Sequence, residues 1–215
     1  MCIRDSFEIE GAELIQEHDP DRKGIVFVSG HMGNWEVMGA VMGQLGAPVH
    51  AIYRPLDNLY LDRWMRDYRK SFSFFLVAKH GALPALIRAM RRGEHPGFLI
   101  DQHAGSTGTW IDFMGHPAST RLSAGALAKK FERPIIAGYT MRRRDPLKFA
   151  VRFELVARPD PQLDKDEDVL RMTEAINESF GRQIRSLPEQ WLWMHRRWRP
   201  QTQETKSTVA IGRAS

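Results

Sequence analysis

A histidine and a glutamate in the stretch SGHMGNWE are the residues whose types and spacing could do chemistry. His31 and Glu36 stand five positions apart, and on one continuous helix that spacing turns the two side chains about 140° away from each other. They can meet only if His31 lies in the turn before a helix and Glu36 in its first turn. A carboxylate on one imidazole nitrogen would then leave the other nitrogen free to accept a hydroxyl proton. The alternative is that Glu36 only complements the helix dipole.

The residues between this pair suit such a turn. Gly30 and Gly33 permit a tight loop, and Asn34 is a preferred helix N-cap. We expect backbone N–H groups of residues 30–33, or a nearby arginine, to stabilise an oxyanion.

Sequence signatures of other catalytic classes are missing. There is no G-x-S-x-G elbow, no P-loop and no complete G-x-G-x-x-G fingerprint. The histidines lack H-E-x-x-H spacing and the single Cys2 rules out C-x-x-C, so no metal site is expected. Acid/base chemistry on a substrate hydroxyl remains, and it requires no cofactor.

The composition is that of one globular domain with charged partners. The chain has 215 residues, of which 42% are hydrophobic, and a formal net charge of +5. This charge favours anionic lipid headgroups, nucleic acid or an acidic carrier protein. We expect residues 1–6 to be a non-native start, residues 7–200 to form the single domain, and residues 201–215 to be a disordered tail. No apolar run reaches the ~20 residues that span a bilayer.

Short β-branched or aromatic segments alternate with helix-like ones. Strands are predicted at residues 25–29, 49–53, 74–76, 98–100, 135–139 and 150–155. Helices are predicted at residues 35–45, 59–70, 83–92, 123–131 and 167–186. The alternation predicts an α/β fold with a mostly parallel central sheet and helices on both faces. In such sheets the site lies beyond the carboxyl ends of the strands, and His31, Arg54 and Asp101 each follow a predicted strand.

Four blocks of sequence carry a family resemblance. HMGNWE, IYRPLDNLYLDRWMRDYR, GFLIDQHAG and PEQWLWMHRRWRP occur in this order between residues 24 and 200. Together they resemble the bacterial lipid A biosynthesis acyltransferases of the lauroyl/myristoyl type, in the lysophospholipid acyltransferase superfamily with its H-x-x-x-x-[DE] motif. The resemblance implies a glycerolphosphate-acyltransferase-like fold. It also implies an N-terminal membrane helix that this chain lacks, so we expect a truncated start.

The resemblance assigns roles to individual residues. It makes His31 the catalytic base, Glu36 its carboxylate partner, and Arg69 and Asp101 substrate-binding residues. Arg54 is added because a guanidinium can grip a phosphate with two hydrogen bonds. Asp101-Gln102-His103 departs from the DQD or DHD of many members, so no role is assigned to the third position.

The resemblance also implies the reaction. A fatty acyl chain would move from acyl-acyl carrier protein to a hydroxyl of a lipid A precursor, at the cytoplasmic face of the bacterial inner membrane. One alternative is an enzyme that acylates another glycolipid, such as a mannosylated phosphatidylinositol, or uses acyl-CoA. The other is a non-catalytic basic module that binds lipid or nucleic acid.

The C-terminal block bears on the last alternative. Its tryptophans cluster in helix-like sequence and not on a sheet face, which disfavours nucleic acid. We expect some of these indoles to pack in the core and the neighbouring arginines to contact an interface, with His195 in a structural role.

Overall fold

The computed structural model describes residues 6–145 and 147–200. The expectations for residues 1–6, apart from Ser6, and for residues 201–215 concern segments outside the described residues.

A seven-stranded sheet forms the centre of the molecule. Its strands stand in the order β1-β9-β8-β2-β5-β3-β4. Each neighbouring pair is parallel except β8 and β9, which confirms the predicted mostly parallel α/β sheet. The strands are β1 (Phe7–Glu10), β2 (Val26–Ser29), β3 (Val49–Tyr53), β4 (Phe74–Ala78), β5 (His95–Leu99), β8 (Ile135–Arg142) and β9 (Phe149–Ala157).

In the part of the chain that the structure describes, six α-helices flank this sheet, and alternate residues along β2 and just before it show how both faces are covered. Val26 and Val28 belong to a core cluster with side chains of α4, α5 and α6. Ile25 and Phe27 belong to a second cluster with side chains of α1 and α2. Successive strand residues point to opposite faces, so each face carries its own core. The helices are α1 (Glu13–His18), α2 (Glu36–Gln44), α3 (Leu59–Lys70), α4 (Ala82–Arg91), α5 (Ser123–Phe131) and α6 (Lys165–Ser186).

A separate hairpin lies between β5 and α5 and was not predicted. Its strands are β6 (Thr109–Phe113) and β7 (His116–Thr120), which pair antiparallel. The turn residues Met114 and Gly115 both have positive φ, as a two-residue hairpin turn requires. Signals for the first strand and the turn were present, in the β-branched and aromatic residues of TWIDF and in Gly115, but Pro117 argues against the second strand. β1 and α1 were also missed.

The register of β2 and β5 determines what meets at the end of the sheet. Ser29 pairs with Leu99 in a parallel ladder, and the N–H of Ile100 donates to the carbonyl of Ser29. Two residues beyond this pair, the chain reaches His31 on one side and Asp101 on the other. His31 and Asp101, which were predicted to follow strands at the same edge of the sheet, are therefore brought together by the neighbouring strands β2 and β5.

The part of the chain that the structure describes contains no helix both long and apolar enough to cross a bilayer.

A buried histidine joins the amino ends of these two central strands. The N–H of Ile25 donates to Nδ1 of His95 over 3.1 Å, so this ring must keep Nδ1 unprotonated. Burial is the main influence and lowers the pKa of His95, against the opposing charges of Asp19 and Glu94. The fold therefore holds a neutral imidazole at this position.

The buried neutral imidazole of His95 predicts a pH dependence of stability. Because the folded pKa of His95 lies below its unfolded value, the unfolded chain binds more protons, and the free energy of unfolding falls as pH drops below about 6.5. We expect His95→Asn, whose side-chain oxygen can accept from Ile25, to show a shallower decline in urea titrations between pH 7.5 and 5. The matched control is His80→Gln at an exposed histidine. Equal slopes for His95→Asn and the unaltered protein would contradict the prediction.

Candidate active site

A buried carboxylate is the centre of the candidate site. Asp101 is completely buried, and its Oδ1 lies 2.8 Å from Nδ1 of His31. Its Oδ2 accepts from the His31 backbone N–H at 2.7 Å and from the indole N–H of Trp191 at 2.9 Å. Both carboxylate oxygens are therefore used inside the protein, and Asp101 holds the ring and the backbone of the same histidine.

The charge state of Asp101 fixes the tautomer of His31. Burial raises the pKa of Asp101, but the hydrogen bonds and the charge interaction with His31, aided by Trp191, outweigh it and hold the pKa below its ordinary value. An ionised carboxylate only accepts hydrogen bonds, so Nδ1 of His31 carries the proton. In the neutral ring, Nε2 is then the free basic nitrogen.

Glu36 lies in a different ion pair from the expected one. It is the first residue of α2, and Arg69 at the end of α3 donates to both of its oxygens, from Nε at 3.0 Å and from Nη2 at 2.6 Å. The carboxylate on His31 is therefore Asp101 and not Glu36. The reason is the strand register, which brings Asp101 to the ring from a neighbouring strand while the helix turns Glu36 toward α3.

The turn after β2 is held by the C-terminal segment of the chain. The N–H of Gly33 donates to the carbonyl of Gln190, and the N–H of Leu192 donates to the carbonyl of His31. Gly33 has a φ of 57°, and a Cβ there would lie 2.1 Å from the carbonyl oxygen of Thr140. A Cβ on Gly30 would strike the ring of Phe180 at 2.4 Å. Gly33 thus permits the close approach of two backbone segments, and Gly30 leaves room for the ring of Phe180.

Asn34 does not cap the helix as expected. α2 begins at Glu36 with Trp35 in the N-cap position, and no side chain caps it. The N–H groups of residues 31–33 are already bonded, to Asp101, Gly30 and Gln190 in turn. Those of residues 34–36 have no acceptor among the described residues. The free backbone donors are therefore at the start of α2 and not in the turn.

Two aromatic rings enclose the imidazole of His31. Trp35 meets it edge-on with 4.9 Å between ring centroids, and His195 does so at 4.2 Å. Burial, followed by the charge of His31, lowers the pKa of His195 against the opposing effect of Asp101. His195 is therefore neutral near pH 7. Sequence reasoning gave it a structural role, and it lies directly beside the candidate base.

The C-terminal block is partly core, as expected, but its central arginine is not at an interface. Arg197 is 1% exposed and donates to the carbonyls of Gln102 and Ser119 and to the hydroxyl of Thr120. Burial lowers its pKa to about 10, against the opposing charge of Asp101. This cation joins the loop after Asp101 to the β6–β7 hairpin.

An apolar groove opens beside the site. It has a volume of about 780 Å³. Trp193 on its wall packs against Trp191 with 4.7 Å between ring centroids, and Trp191 donates to Asp101. The groove therefore begins one side chain away from the buried carboxylate. Its lining consists of Trp110, Met114, His116, Pro117, Trp193, Trp198, Arg199 and Pro200.

One group of side chains in the described part of the chain could hold a metal ion. One ligand atom from each of His31, Asp101 and His195 lies within 4.8 Å of the others. Both oxygens of Asp101 already accept N–H groups, so a metal ion would have to displace the His31 hydrogen bond. The arrangement is satisfied as a hydrogen-bonded pair, and the expectation of a metal-free site stays a prediction.

The remaining predicted residues occupy different positions around the pair. Arg54 follows β3, is exposed, and lies at the same edge of the sheet as His31. Arg69 is tied to Glu36. Asp101, expected to bind substrate, has no exposed surface and holds His31 instead. Trp191 was not foreseen as its third donor, because nothing in the sequence aligns the C-terminal segment with the end of β5.

Comparison with known proteins identifies the family. The family model described as "Bacterial lipid A biosynthesis acyltransferase" matches residues 2–200. The chain is 24% identical over 200 residues to the lipid A biosynthesis palmitoleoyltransferase of Escherichia coli K12, covering 92% of this chain and 63% of that protein. It is 26% identical over 209 residues to the lauroyltransferase of the same organism, covering 89% and 61%.

The chain is also similar to a relative whose name gives a different substrate. The phosphatidylinositol mannoside acyltransferase of Mycobacterium tuberculosis CDC 1551/Oshkosh is 22% identical over 188 residues, covering 85% of this chain and 57% of that protein. The chain thus spans about three-fifths of the length of the curated relatives that it matches.

The turn that carries His31 predicts a local stability cost. Gly33→Ala adds a side chain at positive φ and against the Thr140 carbonyl, so we expect a loss of about 2 kcal/mol or more in the free energy of unfolding, measured in urea. Gly46→Ala is the matched control: φ is 68° there and a Cβ would meet no atom within 4 Å. It should cost only about 1 kcal/mol. Equal losses in the two variants would show that the close approach to Thr140 is unimportant.

Proposed function

We propose that this chain, which belongs to the family of bacterial lipid A biosynthesis acyltransferases, transfers a fatty acyl group from an acyl thioester to a hydroxyl of a lipid A precursor. The observation that carries the proposal is the His31–Asp101 pair beside an apolar groove. The pair supplies a positioned base, and the groove suits an acyl chain. In the described residues no protein nucleophile adjoins His31, which supports direct attack by the acceptor hydroxyl.

In the proposed reaction, Nε2 of His31 removes the proton of the acceptor hydroxyl. The oxygen attacks the thioester carbonyl, and the new C–O bond gives a tetrahedral intermediate. The C–S bond then breaks, and the proton on Nε2 goes to the departing thiolate. Asp101 stabilises the imidazolium that exists between these two proton transfers. The neutral His195 nearby adds no positive charge that would oppose it.

The start of α2 is the proposed oxyanion site. Its free N–H groups at residues 34–36 follow His31 directly, and the helix dipole places positive potential there. This proposal replaces the expected donors of residues 30–33, because the N–H groups of residues 31–33 are already bonded within the protein. The Asn34 side-chain amide, which has no hydrogen-bond partner among the described residues, is a further donor in the same turn.

We propose that Arg69, held in place by Glu36, binds a phosphate of the substrate headgroup. The ion pair with Glu36 uses Nε and Nη2 of Arg69. Nη1 therefore stays available to donate a hydrogen bond to a phosphate. Arg54, which is exposed and directly follows β3, provides a second cation. Arg54 at the carboxyl edge of the sheet and Arg69 beside the start of α2 fit a phosphorylated glycolipid.

The acyl donor and the acceptor have named alternatives. The net charge of +5 supports an acidic acyl carrier protein as donor, and acyl-CoA is the competing source of the same thioester. The similarity to a phosphatidylinositol mannoside acyltransferase supports a mannosylated lipid as the second acceptor candidate. Either acceptor requires work at a membrane surface, which for the lipid A reaction would be the cytoplasmic face of the bacterial inner membrane.

Three single substitutions separate the roles of the two carboxylates. We expect His31→Ala and Asp101→Asn each to lower kcat for transfer of a labelled acyl chain by about 10²-fold or more, because the first removes the base and the second removes the charged acceptor that positions it. Glu36→Gln keeps an acceptor for Arg69, so its main effect should be a higher KM for the acceptor. The assay uses purified acyl carrier protein and acyl-CoA donors in parallel.

The control is His80→Gln, at an exposed histidine outside the site. Activity of His31→Ala within a few-fold of that of the unaltered protein would refute the assignment of His31 as the base. A large loss of kcat in Glu36→Gln with full activity in Asp101→Asn would reverse the assignment of the carboxylates.

A further inference from the structure

Helix α3 has an inverted distribution of side chains. Its sole buried residue is Asp62, which accepts from the N–H of Leu56 and pairs with Arg66 at 3.1 Å. The large apolar side chains of the same helix face outward. Their exposed fractions are 80% for Leu59, 89% for Tyr60, 47% for Leu61, 61% for Trp64 and 54% for Tyr68. A helix that only supported the core would show the opposite pattern.

The exposed residues of α3 form two neighbouring stripes. Tyr60, Trp64 and Tyr68 follow at intervals of four residues, so they share one side of the helix, and Trp64 stacks on Tyr68 with 5.6 Å between ring centroids. Arg63 and Lys70 lie on the adjacent side. Nε of Arg63 lies 3.9 Å from a carboxylate oxygen of Asp67, a long ion pair between exposed side chains. Lys70 has no ion pair among the described residues. Aromatic rings therefore lie on the exposed part of the helix beside Arg63 and Lys70, of which only Lys70 has no ion pair among the described residues.

From this we infer that α3 docks the enzyme on an anionic lipid surface, with Tyr60 and Trp64 entering the interface and Arg63 and Lys70 contacting lipid phosphates. Aromatic side chains and Arg or Lys are the residues that suit a membrane–water boundary, and a surface helix with both lies in its plane. The inference rests on the proposed function in one respect: the acceptor is a lipid, so the enzyme must meet it at such a surface.

The position of α3 supports lipid over other occupants. Arg69, on the last turn of this helix, holds Glu36 at the start of α2, five residues from His31. A lipid surface under α3 would therefore lie beside Glu36 and the start of α2. A second copy of the chain would bring together two α3 helices that each carry more basic than acidic residues, which disfavours self-association. An acidic carrier protein would satisfy the cations but leave the large apolar side chains without a partner.

The experiment compares binding to vesicles. The unaltered protein should sediment with vesicles of phosphatidylethanolamine and phosphatidylglycerol, and poorly with phosphatidylcholine alone. The double variant Tyr60→Ser/Trp64→Ser should lose binding on the order of tenfold. The variant Arg63→Gln/Lys70→Gln should lose the dependence on phosphatidylglycerol. The matched control is Leu83→Ser/Leu147→Ser, two leucines that are each 57% exposed elsewhere on the surface.

A second measurement does not depend on how the serine variant folds. Brominated phospholipids should quench part of the tryptophan fluorescence of the unaltered protein, and Trp64→Phe should remove that quenched part while vesicle binding persists. Unchanged quenching in Trp64→Phe would overturn the inference.

Acyl transfer separates this inference from the proposed function. With detergent-dispersed substrates Tyr60→Ser/Trp64→Ser should match the unaltered protein, and with vesicle-embedded acceptor it should be slower. Loss of vesicle binding in this variant would support the docking surface even if no version of the protein transferred acyl chains in detergent.

Other results would overturn it. These are unaltered vesicle binding in Tyr60→Ser/Trp64→Ser, an equal loss in the leucine control, conversion of a dimer to a monomer with vesicle binding intact, or a raised KM for the carrier-protein donor alone.

Discussion

The hydrogen bonds of one buried carboxylate organise the site. Asp101 has no contact with solvent, so its charge must be compensated by the three N–H groups that it accepts. Two of them come from His31 and the third from Trp191. The carboxylate therefore joins the end of β5, the turn after β2 and the C-terminal segment, and removing any donor would leave a buried charge short of a partner.

The same constraint separates the two halves of the H-x-x-x-x-E motif. His31 is bound to the sheet through Asp101, while Glu36 belongs to the helix that follows and is bound to α3 through Arg69. The motif thus connects a histidine paired with a buried carboxylate to a glutamate paired with α3, and the N–H groups of residues 34–36 lie between them. The spacing of five residues serves a strand–turn–helix junction, and its two ends have different partners.

Much of this could be predicted from local sequence. The predicted helices at residues 59–70 and 123–131 and the strand at residues 49–53 agree with the structure in both boundaries. Strand ends also located His31, Arg54 and Asp101 on one edge of the sheet. Which of these meet depends on strand order, and the adjacency of β2 and β5 arises from packing between segments 70 residues apart. The partner of His31 could not be read from spacing alone.

Nitrogen-15 NMR of the His31 ring tests directly whether Asp101 determines its tautomer. In the unaltered protein and in Glu36→Gln, the neutral ring should carry its proton on Nδ1 with Nε2 unprotonated. In Asp101→Asn this preference should be lost, because the charged acceptor is gone. Loss of the Nδ1 proton signal in Glu36→Gln, with the signal intact in Asp101→Asn, would contradict the central role of Asp101.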